Sequence, residues 1–261
     1  MQRGQPYTKK MSKPSIVLVH GSWHGPEHFA PLIREVESYG YKCIAVSLPS
    51  TQSKDLPPAS FADDQAAIRK AVLGELDAGN NVVVVAHSYG GAPTTSSLKG
   101  LDTKSRTEAG ETSSVTGLAL LAAALLPAGT TFLGALGGKP MPIHALDGDF
   151  TDVGAPGPEY YFYNDLSPED AKYYSSILRP QSWPAYEGEL TYEAWKDIPT
   201  SYLHCTKDQA LVPPAQEGMV AACMAAGVKI RVEKVESSHS PFLSKVKETG
   251  DFVRRSAGES I

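Results

Sequence analysis

Short runs of consecutive apolar residues alternate along most of this chain with stretches where apolar residues recur every three or four positions. Residues 16–19 (Ile-Val-Leu-Val) stand between Pro14 and His20-Gly21, and an unbroken run of this kind predicts a strand buried on both faces. Pro26 then opens a segment whose Phe29, Leu32, Ile33 and Val36 share a helical face, and Gly40 ends it. Residues 41–48 read as a second strand closed by Pro49. Residues 61–76 read as a helix with Ile68, Val72 and Leu76 on one face and Ser60 as its N-cap. The most apolar strand is 81–86, an Asn followed by four valines and Ala86. Further strands fit 115–121, 200–205 and 229–235, and further helices fit 214–226 and 243–256. Strands apolar throughout, alternating with amphipathic helices, imply an α/β fold whose mostly parallel sheet is flanked by helices on both faces.

Two stretches interrupt the alternation. Residues 100–114 are rich in Ser, Thr and charge and predict an exposed loop. Residues 127–196 are rich in Gly, Pro, Tyr and Trp. So long an excursion between sheet strands predicts a helical cap, inserted after the strand at 115–121, over the sheet edge where open α/β folds bind ligands. With no internal repeat, residues 1–261 read as a single domain: a disordered tail over 1–14, the sheet with its helices, and the cap.

Composition narrows the partners. A hydrophobic fraction of 41% and a charged fraction of 20% suit an ordinary buried core. A net charge of -5 argues against nucleic acid, whose phosphates are neutralised by Lys and Arg. Cys43, Cys205 and Cys223 lack the spacing of a zinc or redox motif and read as small buried residues in a reducing compartment. The first apolar run, Ser15 to Val19, is too short for a secretory leader or a membrane span, so a cytoplasmic protein without a membrane partner is expected.

The candidate chemistry sits at strand ends. Ala86-His87-Ser88-Tyr89-Gly90-Gly91 follows the valine strand and precedes a helix. A strand turning sharply into a helix crowds the turning residue; the small Ala86 and Gly90, two positions to either side, relieve the clash and leave the Ser88 hydroxyl in the open. Serine is a poor nucleophile without a base. Of the seven histidines, His239 is the one that follows the last predicted strand. His20, His24 and His87 are expected to line or shape the site, while His28, His204 and His144 read as helix, strand and cap residues. The orienting acid should end the preceding strand, which favours Asp208 over Asp147, Asp149 and Asp152 of the inserted stretch. The expected oxyanion donors are the N–H groups of Tyr89 and of Ser22, with Gly21 allowing close approach of the backbone. Trp23 and His24 of the same loop are expected in the substrate pocket.

Taken together these residues resemble the α/β-hydrolase superfamily over nearly the whole chain. LVHGSWHG, HSYGG, CTKDQALVP and SSHSPFLS are similar to the branch that holds plant methyl-ester esterases, hydroxynitrile lyases and their fungal and bacterial relatives. The resemblance implies an α/β-hydrolase fold, the Ser88, Asp208 and His239 triad, the Ser22 and Tyr89 oxyanion hole, no metal and no organic cofactor. Cyanohydrin-cleaving members typically carry a lysine beside the catalytic histidine and a threonine where this chain has Gly21. Ser240 and Gly21 therefore turn the expectation toward hydrolysis of a small, apolar or aromatic carboxylic ester or lactone through an acyl-enzyme on Ser88. The implied partner is that small molecule, for a chain acting alone or as a homodimer. A lyase or C–C bond hydrolase on the same triad is the first alternative, and a non-catalytic ligand receptor on the same fold is the second.

Overall fold

A computed structural model describes residues 13–261. Residues 1–12 of the expected tail lie outside them; Lys13 pairs with Glu259, and Pro14 leads into the first strand. β1 (Ser15–Val19) runs through a 3-10 turn at Pro26–Phe29 into α1 (Ala30–Ser38) and β2 (Cys43–Val46). Then come α2 (Phe61–Asp77), β3 (Val82–His87), α3 (Gly91–Ser97), α4 (Thr103–Glu108) and β4 (Val115–Leu121). The insertion contributes α5 (Phe132–Ala135), β5 (His144–Asp147), β6 (Phe150–Val153), α6 (Pro158–Tyr161), α7 (Pro168–Ser176) and β7 (Gln181–Ser182). β8 (Thr200–Cys205), α8 (Pro213–Ala225), β9 (Ile230–Val235), α9 (Pro241–Ser244) and α10 (Val246–Ser256) follow.

The main sheet has six strands, all parallel, in the order β2-β1-β3-β4-β8-β9. Val17 of β1 lies opposite Ile44 of β2 and Val84 of β3. Because successive side chains point to opposite faces, Val17, Val84 and Leu120 join Ile68 and Val72 of α2 in one core. Leu18, Val85 and Leu121 join Leu32 and Val36 of α1 and Phe252 of α10 in the other. Burying one such side chain is worth about 1.5–3 kcal/mol, and burial on both faces is why the middles of these strands are apolar at successive positions. The edge strand β9 differs: its exposed Arg231 and Lys234 mark a rim that faces water and discourages pairing with another chain. At the head of α2 the expected cap is present, with the Ser60 hydroxyl accepting from the Asp63 N–H and the Asp63 carboxylate accepting from the Ser60 N–H.

Three expectations need correction. The loop expected over 100–114 carries a helix, α4, because the Asp102 carboxylate accepts from the Ser105 N–H at 2.9 Å and starts one. The helix expected over 243–256 is broken at Lys245 into α9 and α10. The insertion is not wholly helical, for β5, β6 and β7 form a three-stranded antiparallel sheet. The β5–β6 hairpin turns through Gly148 (φ 58), and β7 is held from outside the insertion by the Ser50 carbonyl, which accepts from Ser182 N–H at 2.7 Å. Strands of two to four residues are too short to show a period in sequence. Among the described residues no helix is long and apolar enough to cross a membrane.

Candidate active site

Ser88 directly follows β3 with φ 53, a left-handed conformation that costs a non-glycine residue roughly 1–2 kcal/mol. The neighbouring glycines explain how the chain fits around it. A Cβ on Gly90 would lie 2.4 Å from the His20 carbonyl oxygen, and one on Gly91 would lie 2.4 Å from the Ala124 carbonyl oxygen. Gly21 is pressed against the serine itself, for a Cβ there would fall 2.6 Å from the Ser88 Cβ. The turn is pinned by the Ser88 carbonyl, which accepts from Ala124 N–H at 2.9 Å.

Asp208, in the loop that leaves β8, is fully buried. Its Oδ1 accepts from the N–H groups of Ala210 (2.8 Å) and Leu211 (2.9 Å), and its Oδ2 accepts from Gln216 Nε2 at 3.0 Å. His239 Nδ1–H donates to the same Oδ2 at 2.6 Å. A carboxylate can only accept here, so the imidazole carries its proton on Nδ1 and its lone pair on Nε2. The His239 loop is steadied on three sides. His87 Nε2–H donates to the His239 carbonyl at 2.9 Å, the Asp165 carboxylate accepts from Ser238 N–H at 2.9 Å, and the Ser238 hydroxyl donates to the Phe162 carbonyl at 2.8 Å.

Ser88, His239, Ser22 and Trp23 line one cavity, with about 500 Å³ of empty space counting its open mouth. Phe132, Ile143, Phe162 and Tyr186 of the insertion form much of the opposite wall. Among the described residues no Lys, Arg, Asp or Glu lines it. The Ser22 hydroxyl accepts from the buried Tyr186 hydroxyl at 2.6 Å. Tyr89 sends its ring away from the cavity, where its hydroxyl donates to Asp64 Oδ2 at 2.8 Å. Asp64 also accepts from Ser50 N–H (2.9 Å) and the Ser50 hydroxyl (2.6 Å), and burial pushes its carboxyl up to about 6.

The remaining histidines divide by position. His24 does not belong to the pocket as expected: it is buried behind the loop, Nδ1–H donating to the Ser22 carbonyl (2.8 Å) and Nε2 facing the Tyr163 hydroxyl (3.0 Å). His20 braces the same loop, accepting from Leu48 N–H at 3.1 Å and donating to the Gly21 carbonyl at 3.0 Å. Burial holds His20 down at about 3 and drives His24 and His87 well below the ordinary histidine value, so all three are neutral near pH 7. His144, read as a residue of the insertion, lines the cavity. The rival acids do not approach His239: Asp147 and Asp152 share Lys54 on the exposed outside of the insertion, at 2.6 and 2.7 Å, and Asp149 is exposed.

Two buried polar residues escaped the sequence reading. Asp64 shares a helical face with Phe61, Ile68 and Val72, and Gln216 shares one with Val220 and Cys223. A polar residue on an otherwise apolar stripe was the available signal in both.

The six-stranded parallel sheet, the strained strand-to-helix serine and the buried Asp–His pair define the class: the chain is a hydrolase of the α/β-hydrolase family, whose family model matches residues 16–252. Among curated proteins it is 32% identical over 252 residues to the probable hydrolase R7 of Phoma sp. (strain ATCC 20986 / MF5453), covering 95% of this chain and 100% of that one. It is 26% identical over 271 residues to methylesterase 18 of Arabidopsis thaliana, covering 95% and 98%. Among solved structures, polyneuridine aldehyde esterase superimposes with a TM-score of 0.69 at 20% identity, over 94% of this chain and 99% of that one.

Proposed function

We propose that the protein is a serine esterase acting on small, neutral, largely apolar carboxylic esters or lactones. The observation that carries this reading is the fully buried Asp208–His239 pair at 2.6 Å, opening onto the cavity that Ser88 also lines. In this mechanism Asp208 fixes the imidazole tautomer, and His239 Nε2 takes the Ser88 proton as the hydroxyl oxygen attacks the ester carbonyl. The N–H groups of Ser22 and Tyr89 hold the resulting oxyanion. The imidazolium then protonates the departing alcohol and leaves an acyl-enzyme. Water, deprotonated by His239, attacks that ester, and the acid departs as Ser88 regains its proton. The insertion serves as a cap whose apolar wall supplies most of the substrate contacts.

Gly21 and Ser240 support hydrolysis over cyanohydrin cleavage. The 2.6 Å approach to Ser88 leaves no space for a threonine at 21 without a shift, and Ser240 brings no cation beside His239. The test is labelling by a fluorophosphonate together with turnover of 4-nitrophenyl esters. Wild type is expected to do both and Ser88→Ala neither, with its fold intact by circular dichroism. Equal turnover by Ser88→Ala would overturn the mechanism, and labelling without turnover of any ester would favour a receptor or lyase.

A further inference from the structure

The polar groups of the cavity wall are few, and most already have partners. Trp23 Nε1–H donates to the Thr151 carbonyl at 2.8 Å, and the Tyr186 hydroxyl donates to Ser22. His144, at the start of β5, stands apart. Its Nδ1 accepts from the Met141 N–H at 3.1 Å, while its own N–H returns to the Met141 carbonyl at 2.9 Å. Accepting at Nδ1 forces the neutral ring to carry its proton on Nε2. Nε2 has no partner among the described residues and is not buried out of reach of a ligand, and the ring that carries it lines the cavity. The ring is gripped by Trp23 (5.6 Å between centroids), Trp183 (5.4 Å) and Tyr186 (5.6 Å), the last two edge-on.

We propose that His144 is a specificity-determining residue: a fixed, neutral N–H donor that reads a second acceptor oxygen on the substrate, away from the scissile ester. The proposal rests on the esterase reading above and refines it to neutral esters that also carry a ketone, ether, hydroxyl or second carbonyl oxygen. A base is the other role open to a cavity histidine, and the structure opposes it. The lone pair sits on Nδ1 and is committed to Met141, and burial holds the ring down at about 4, so near pH 7 it neither takes a proton nor carries a charge. An anionic substrate is disfavoured, since among the described residues no cation lines the wall. A free donor set in a largely apolar wall, apart from the groups assigned to the scissile ester, discriminates because an analogue lacking the oxygen leaves that donor unpaired.

The test uses matched pairs of esters. On the acyl side these are 4-nitrophenyl 4-oxopentanoate, 5-oxohexanoate and 6-oxoheptanoate against the unsubstituted esters; on the alcohol side they are 4-acetylphenyl against 4-ethylphenyl acetate. Comparing wild type with variants cancels intrinsic reactivity. In at least one pair, His144→Phe should lower wild-type preference for the acceptor-bearing ester by about 3–10-fold, chiefly through KM. His144→Gln, which keeps a donor, should recover part of it. A ratio unchanged in every pair, or an equal fall in kcat for both members, would overturn the assignment. Binding of the same esters to Ser88→Ala, followed by the fluorescence of Trp23 and Trp183, reads the donor without turnover. A His144-dependent preference there without hydrolysis by wild type would sink the esterase reading alone, and its absence there would sink the donor.

Discussion

Asp64 offers a sharp test of how the turn at Ser88 is supported. Its carboxylate is fully buried on α2 and receives three hydrogen bonds, from Ser50 N–H, the Ser50 hydroxyl and the Tyr89 hydroxyl. These bonds favour the charged form, yet burial outweighs them, assisted by the neighbouring charge of Asp63, and the folded value rises from 3.8 to about 6. The folded state therefore binds a proton that the unfolded state has already released. Stability from this group is complete below pH 4, is lost as pH rises toward about 6, and is level beyond. The gap corresponds to about 3 kcal/mol, of which about 1.4 kcal/mol falls between pH 5 and 8. Asp64→Asn removes the titration. Its amide still accepts from Ser50 N–H, and the Tyr89 hydroxyl can turn to the Ala185 carbonyl 3.3 Å away. The absolute stability will shift for reasons of hydrogen-bond direction, but the slope is diagnostic. Urea denaturation at pH 5, 6, 7 and 8 should show the variant gaining on wild type by about 1.4 kcal/mol, mostly before pH 7. The buried neutral histidines destabilise both proteins alike toward acid and cancel in the difference. A difference constant with pH would refute the reasoning, and a wild type that gained on the variant would reverse its sign.

Other outcomes follow from the same geometry. Ser88→Gly should abolish fluorophosphonate labelling and cut turnover by about 10⁵-fold or more, with thermal stability equal or higher because glycine adopts φ 53 without strain; a lowered melting temperature would contradict this. Asp208→Asn should lower kcat by about 10⁴-fold through the wrong imidazole tautomer, whereas Asn at Asp147, Asp149 or Asp152 should change it less than about twofold. A larger loss at any of those three would move the orienting acid into the insertion. Gly90→Ala must move either the turn or the His20 carbonyl 2.4 Å away, so a loss of roughly 2 kcal/mol or more is expected in denaturation, together with reduced activity. An unchanged denaturation midpoint would show that the turn is less tightly packed than its geometry indicates.

What sequence can disclose about such a site depends on whether a residue is defined by its place along the chain or by the partners that surround it. Ser88, Asp208 and His239 belong to the first kind. Each follows a strand that the sequence discloses, and the order serine, acid, histidine suggests the proposed roles once the strands are found. The inner strands β1, β3 and β4 were legible because burial on both faces leaves a nearly continuous apolar signature, whereas β9 at the edge interleaves apolar with charged residues. His24, Asp64 and Gln216 belong to the second kind. His24 shares a loop with cavity-lining Trp23, yet bonds to the Ser22 carbonyl and the Tyr163 hydroxyl turn it away from the cavity. Asp64 and Gln216 look like ordinary polar residues until tertiary structure brings Ser50 and Tyr89 to one and Cys205 and Asp208 to the other. The small antiparallel sheet of the insertion is equally a tertiary product, because two-residue β7 pairs with β6 while residue 50 holds its other side. His144 joins both kinds: its place on the insertion was readable, but its fixed tautomer comes from a single backbone bond to Met141. The proposed chemistry therefore rests on residues at strand ends, while the proposed selectivity rests on contacts between the sheet and the insertion, where a search for substrate determinants should concentrate.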